Sequence, residues 1–454
     1  MLEGPLFSNI VSYTIPIILT SVLQLLFNAA DLIIVGQYRG SLCIAAVGAT
    51  GSLTGLIVNL FLGFSVGTGV TVAHAYGQND SEAIHRTVHT ALPTALISGA
   101  LLSVIGMTFC ETFLKLMKTP TEVLPLSTIY MRIYFGGIIF NMVYNFCASI
   151  LRAAGDTKSP LVFLFLAGVI NVILNIMFVT LFNMDVDGVA LATVISQAVS
   201  AVLVVIALMQ RTDACRLFLS KIKIYKVQLL KIIRIGLPAG LQSSLFAISN
   251  VIIQSSVNSF GDIVMSGNAA AANLEGFVYV CMNAFHQTAV NFIGQNVGAK
   301  QYERVFKILK ICLASVSALG IVAGAGVFAF AKPLLSIYIT DSAEAISYGV
   351  IRLTYICLSY FLCGLMDVSS GALRGMGVSV APMIISILGV CGIRIAWIYT
   401  IFQMERFHST QWLYISYLVS WSVTFLIQFT VFLFIYTHRV KKLKQETTLR
   451  DSPV

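Results

Sequence analysis

The sequence predicts an all-α integral membrane protein with twelve transmembrane helices in two parallel six-helix repeats around a central cleft. Three observations predict it. Only 10% of the 454 residues are charged while 57% are hydrophobic, and mean hydropathy is +0.89; soluble globular chains carry about 25% charge. Apolar stretches near the 20 residues that cross a bilayer recur along the whole chain. Finally, short motifs in the first half reappear in the second. This composition excludes a water-soluble enzyme, a nucleic-acid binder and a secreted disulfide scaffold. It implies the lipid bilayer as a partner and no nucleic acid.

The apolar stretches run over residues 10–35, 44–72, 88–110, 125–150, 160–182 and 188–209. They continue over 232–257, 267–293, 309–331, 345–371, 380–403 and 411–437. Long runs without alternation favour helices over a membrane barrel, and helices satisfy their own backbone groups in lipid. Pro16 and Pro238 cannot donate to the helix ladder, so they should kink or loosen the first and seventh spans. The start, Met1-Leu2-Glu3-Gly4-Pro5, has no basic region and does not read as a signal peptide. The nine cysteines form no CxxC pair and read as packing residues.

Orientation follows from basic residues. With the N-terminus inside, the inside loops and tail hold 20 Lys and Arg, whereas the outside loops hold five: Arg39, Lys115, Lys118, Lys332 and Arg406. Arg132, Arg352 and Arg394 fall within or near span ends. The asymmetry places both termini in the cytoplasm.

The repeats are visible in the text of the chain. Leu151-Arg152-Ala153-Ala154-Gly155 before Pro160 matches Leu373-Arg374-Gly375-Met376-Gly377 before Pro382, at an offset of 222 that also pairs Pro16 with Pro238 and Asn28 with Asn250. Gly77-Gln78-Asn79 matches Gly294-Gln295-Asn296 at 217. The predicted layout is an N-lobe at 1–210, a basic linker at 211–234, a C-lobe at 235–437 and a tail at 438–454. Parallel repeats of this kind are a recurrent transporter design in which halves rock about a central site.

Three acids fall deep within spans: Asp31, Glu275 and Asp367. A carboxylate at mid-membrane costs at least a few kcal/mol, about 2.5 or more, and is a functional candidate by default. Gln24, Asn28 and Asp31 share one face of the first span, and Asn171 and Asn175 lie one turn apart on the fifth. Asn250, Gln254 and Asn258 line the seventh, and Glu275, Tyr279, Met282 and His286 the eighth, with Asn268 continuing the stripe. Arg374 sits two turns from Asp367 on the same face, a pairing that would make this acid structural. Interhelical hydrogen bonding accounts for the amide stripes as well as ligand contact does. A carboxylate in a low-dielectric cavity can carry a proton or, ringed by oxygens, Na+. Either suits transport driven by an ion gradient, since a charge crossing the membrane field gains about 2.3 kcal/mol per 100 mV. No phosphate-binding loop is present, so ATP drive within the chain is excluded.

Two lookalikes are discounted. Gly63-Phe64-Ser65-Val66-Gly67 spells a hydrolase elbow but lies within an apolar helix. Its small residues read as a close helix contact, as do Gly51/Gly55 and Gly320/Gly324. His85 and His89, lacking a third ligand, read as a solvated helix face rather than a zinc site.

The chain resembles the multidrug and toxic compound extrusion (MATE) family, in its prokaryotic DinF-like branch. The resemblance rests on Gly4-Pro5-Leu6, Asn28-Ala29-Ala30-Asp31 with Val35-Gly36, Gly77-Gln78-Asn79 and Leu151-Arg152-Ala153-Ala154-Gly155-Asp156-Thr157. It continues through Glu275-Gly276-Phe277, Gly294-Gln295-Asn296-Val297-Gly298-Ala299 and Leu373-Arg374-Gly375-Met376-Gly377. It implies a secondary active exporter of amphipathic, often cationic compounds, exchanging them for H+ or Na+ between alternating states. It implies no enzyme activity, no cofactor beyond the coupling ion, a prokaryotic inner-membrane location and, as we read it, a monomer. The coupling acid corresponds to Asp31, supported by Asn28, Asn171, Asn175 and Thr193, with Na+ at Asp31 as the metal alternative. The kink proline corresponds to Pro16. Where the family's fifth helix carries a second acid, this chain has Asn175, and the tyrosine one turn before Asp31 is Phe27. Losing that acid weakens Na+ binding by Coulomb's law and also removes the like-charge neighbour that would favour a proton on Asp31; our expectation is proton coupling. Substrate contacts are expected from Gln24, Asn250, Glu275, Tyr279, Met282, His286 and Asp367. The competing reading is a flippase for lipid-linked saccharide or peptidoglycan precursors. Acids with Met and aromatic walls would favour cationic drugs; buried Arg or Lys would favour phosphate-bearing lipids.

Overall fold

The fold is read from a computed structural model that describes residues 1–451 apart from Lys118, Thr340 and Asp341. For Ser41, Ser52, Lys444 and residues 446–451 it describes the backbone alone. Lys118, counted above among the outside basic residues, therefore lies outside the described residues.

The described chain is helical throughout: α1 Leu6–Arg39, α2 Ser41–Gly77, α3 Ser81–Leu116, α4 Leu124–Gly136, α5 Ile138–Ala153, α6 Lys158–Ile176, α7 Val186–Gln210 and α8 Lys226–Asn258. It continues with α9 Asp262–Gly298, α10 Tyr302–Ala329, α11 Ala331–Tyr338, α12 Ala343–Ile356, α13 Tyr360–Gly375, α14 Val380–Ser386, α15 Ile393–Tyr399 and α16 Thr410–Asp451. A π turn at Met177–Leu181 extends α6, and another at Ile387–Gly392 joins α14 to α15.

Every apolar stretch of the sequence falls on helix. Among the described residues, ten helices are long and apolar enough to cross a membrane, and α4 with α5, bent by 47°, makes up to one more. The remaining stretch is α9, 37 residues long but too polar to pass that test. It carries the Asn268, Glu275 and His286 stripe and is buried almost continuously from Ala284 to Gly298. It packs on α10, α12 and α13, and a helix covered by neighbours tolerates polar residues on the faces they cover.

The chain divides into two compact units, Val11–Ala247 and Met1–Ile10 with Ile248–Val454. In the first, a core of Met131, Phe135, Met142 and Phe146 is fully or almost fully buried. Gly63 and Gly67 of α2 meet Gly236 and Gly240 of α8 backbone to backbone. A Cβ on Gly63 would lie 2.3 Å from Gly240 N, and one on Gly240 2.0 Å from Leu60 O. Two glycine pairs, each at a spacing of four, thus allow this crossing. The hydrolase lookalike is a packing motif. Gly320 and Gly324 likewise abut Phe361 and Cys357, but Gly51 has nothing within 4 Å and Gly55 only Asn59 Nδ2 at 3.9 Å, so the close contact expected there does not form.

The repeat is written in the backbone too. Gly40 (φ 86°) and Gly261 (φ 94°) precede α2 and α9, and Gly155 (φ 100°) and Gly377 (φ 79°) end α5 and α13. One motif alignment needs correcting. Asn79 and Lys300, both left-handed, mark the ends of α2 and α9, so Gly77 corresponds to Gly298, and Gly294-Gln295-Asn296 lies one helical turn earlier. Short polar motifs recur by chance at such spacing; helix ends do not slide.

His89 departs from the expected solvated face. It is fully buried, accepts Phe218 N–H at Nε2 (3.0 Å) and faces His85 O through Nδ1 (2.8 Å), which pins the 211–226 segment to α3. Among the described residues no His/Cys/Asp/Glu cluster could hold a metal ion. All nine cysteines are free, and all but Cys281 are buried.

Candidate functional site

In the first unit, α1 and α6 are registered by a notch. Gly168 of α6 receives the Phe27 ring, since a Cβ there would lie 1.8 Å from Phe27 Cε2. One turn beyond Phe27 on α1 stands Asp31; on the same face of α6 as Gly168 stand Asn171 and Asn175. Asp31 is 9% exposed, Asn171 4% and Asn175 0%. Asn175 Nδ2 donates to Asp31 Oδ1 at 2.5 Å and lies 3.3 Å from Asn171 Oδ1. Thr193 Oγ1, from α7, donates to Val189 O (2.9 Å) and lies 3.4 Å from Asp31 Oδ2. Asn175 Oδ1 is buried without a hydrogen-bond partner.

Four of the five residues expected at a coupling site, Asp31, Asn171, Asn175 and Thr193, therefore converge. Asn28 is exposed, as is Gln24 one turn before it. No cation pairs with Asp31 among the described residues; its listeners are neutral donors only. A buried carboxylate in that setting calls for a proton or a small cation. The carbonyl oxygens of Asn171 and Asn175 and the Thr193 hydroxyl supply further acceptors beside it. Pro16, buried in α1, leaves a carbonyl that accepts from Thr20 Oγ1 (2.7 Å).

The second unit is built differently. Glu275 of α9 is held by both prongs of Arg352 from α12, Nε to Oε1 and Nη2 to Oε2, each 2.7 Å. Arg352 Nη1 donates to Asn268 Oδ1 (2.6 Å), which also accepts from Tyr414 OH (3.1 Å). The chain runs on through Asn268 Nδ2 to Gln254 and Gln254 Nε2 to Asn258. The amide stripes of α8 and α9 thus meet as one interhelical network, while Asn250 stands exposed outside it. His286 Nε2 faces Arg374 Nη1 at 3.2 Å, and its Nδ1 faces Asp367 O at 2.7 Å. A guanidinium only donates and a carbonyl only accepts, so His286 is the neutral Nδ1–H tautomer. Met282 is fully buried, Tyr279 is 40% exposed, and Asp367 Oδ2 is buried without a hydrogen-bond partner.

Glu275, expected from the sequence to contact substrate, is paired instead with an arginine that the sequence did not point to. Arg352, Arg374 and Arg394 are 7%, 5% and 4% exposed, and Arg352 and Arg394 lie within the Ala343–Gly375 and Val380–Gln403 spans. No spacing rule links residues 77 positions apart on different helices. A mid-span arginine was itself the available signal. The polarity criterion is consequently answered twice: one unit presents an acid, the other an excess of arginine.

A family model described as MatE matches residues 16–177 and again 238–400, starting on the two kink prolines. Among curated proteins, the chain is similar to the probable multidrug resistance protein YpnP of Bacillus subtilis (27% identity, 85% of this chain and 86% of the relative). It is also similar to the probable multidrug resistance protein YoeA of that organism (26%, 96% and 94%). Among solved structures, a MATE protein in the bent conformation superposes with TM-score 0.89 at 20% identity over 97% of this chain and 98% of the other.

Proposed function

The chain belongs to the MatE family of multi-helix membrane transporters, and on that premise we propose that it exports amphipathic, often cationic organic compounds by antiport against protons. The single observation that carries this reading is Asp31, buried, without a counter-cation among the described residues, accepting from the Asn175 amide of α6 and 3.4 Å from the Thr193 hydroxyl of α7. Proton binding would discharge it, and proton loss would leave a charge that the site holds only with a cation nearby. The relatives named for multidrug resistance support the substrate class. Asn175, in place of a second carboxylate, lowers the charge available to Na+. Both termini in the cytoplasm of a prokaryotic inner membrane, alternating access and a monomeric state complete the proposal. The test is counterflow in proteoliposomes under imposed H+ or Na+ gradients, comparing wild type with Asp31→Asn. The expected result is proton-driven transport that the substitution abolishes. Transport driven by Na+ at fixed pH, or unchanged in Asp31→Asn, would overturn the assignment.

A further inference from the structure

We propose that Arg394 anchors an oxyanion subsite within the second unit, taking the carboxylate or phosphate group of a transported compound or of a lipid. Arg394 lies about 21 Å along the Val380–Gln403 span and is 4% exposed. A guanidinium at such depth is expensive unless paired. Arg352, the neighbouring buried arginine, is paired with both oxygens of Glu275. Arg394 forms no ion pair among the described residues; its one hydrogen bond runs from Nε to Ser420 Oγ (3.0 Å). Its Nη1 and Nη2 hydrogens have no hydrogen-bond partner among the described residues.

What holds the side chain is aromatic. The guanidinium carbon stands 3.9 Å from the Tyr417 ring centre and 5.6 Å from that of Trp421, which in turn packs on Tyr360 at 5.4 Å. The π turn Ile387–Gly392 directly precedes α15, and within it Gly389 lets Thr424 of α16 approach so closely that a Cβ would lie 2.1 Å from its hydroxyl. Stacking occupies the face of the guanidinium and leaves its edge free. The edge is the part that grips a planar oxyanion with two parallel hydrogen bonds. Stacking also stiffens the fork, so little rotamer freedom is lost on binding.

The inference rests on the exporter reading above for the compound as occupant, and is tested by binding so that the two can fail separately. Full-length protein in phosphatidylcholine nanodiscs is titrated by fluorescence anisotropy with rhodamine 110, which bears a free carboxylate, and rhodamine 123, its methyl ester. Arg394→Gln is expected to weaken rhodamine 110 about tenfold, the worth of a charge-assisted pair of hydrogen bonds, and to leave rhodamine 123 within about twofold. Should Arg394→Gln fail to fold, Arg394→Lys, which keeps the charge but loses fork and stack, is expected to show the same selective loss. Equal weakening of both dyes, or none, overturns the proposal. Nanodiscs of phosphatidylglycerol separate the sources. Rhodamine 110 displaced there from wild type but not from the variant assigns the site to a lipid phosphate; unchanged wild-type affinity assigns it to the transported compound. Loss of proton coupling at Asp31 would touch neither outcome.

Discussion

Replacing Gly168 with alanine tests whether helix registration sets the coupling site. The added Cβ would lie 1.8 Å from Phe27 Cε2 and 2.0 Å from Cζ, whereas unbonded carbons rest about 3.5–4.0 Å apart. Roughly 1.7 Å must therefore be made up by turning the ring or moving α1 away from α6. Overpacking of this kind costs about 1–3 kcal/mol. Asp31 follows Phe27 by one turn and accepts from Asn175 at 2.5 Å, so a comparable shift of α1 stretches that bond past hydrogen-bonding length. The expected result is a lower melting temperature in detergent together with weakened proton-driven dye transport. Phe27→Ala in the same chain vacates the notch and should restore part of both, giving a coupling energy of about 0.5–3 kcal/mol. Gly48→Ala, where nothing lies within 4 Å, is the control. Wild-type stability and coupling in Gly168→Ala, or no restoration in the double variant, would refute the reasoning.

Two further outcomes follow from the ion pairs. Glu275→Gln or Arg352→Gln alone leaves a buried charge unpaired and should destabilise the protein by about 3–5 kcal/mol, while the double substitution recovers much of the loss; thermal unfolding reads both. Outside the membrane, Arg211 grips Asp213 with two hydrogen bonds (2.9 and 2.6 Å) and Cys215 N adds a third (3.1 Å). The Arg211 bonds hold the Asp213 carboxyl below the usual carboxylate range. Such a group contributes stability above its unfolded pKa of about 3.9 and loses it as pH falls through the lower folded value. Hydrogen exchange of the 211–226 segment, corrected for intrinsic rates, should therefore be faster in Asp213→Asn than in wild type at pH 7. That difference should begin to shrink below about pH 4 and vanish once pH passes below the lower folded value; a difference independent of pH would refute the assignment.

Within the first unit the candidate site was largely legible. Asp31, Asn171, Asn175 and Thr193 meet across α1, α6 and α7, whereas Gln24 and Asn28 of the same α1 stripe stand exposed. The second unit was not legible in the same way. Glu275 looked like a free acid because its neutraliser stands on another helix, and His286 looked like a ligand although both ring nitrogens are engaged within the bundle. His89, on a helix otherwise bounded by polar residues, turned out to secure the linker.

The chain alone determined its membrane class, the number and order of its apolar stretches, the internal repeat and the family resemblance. These depend on hydropathy and local spacing, which act along a single helix and are written in consecutive residues. Tertiary structure alone decided which charges are cancelled and which stand uncompensated. Pairing of Glu275 with Arg352, the notch that seats Phe27 in Gly168, and the stacking that leaves the edge of Arg394 free all arise between helices far apart in the chain. At low dielectric a displacement of an ångström or two decides whether a buried charge has a partner, and that distance is set by packing rather than by sequence spacing.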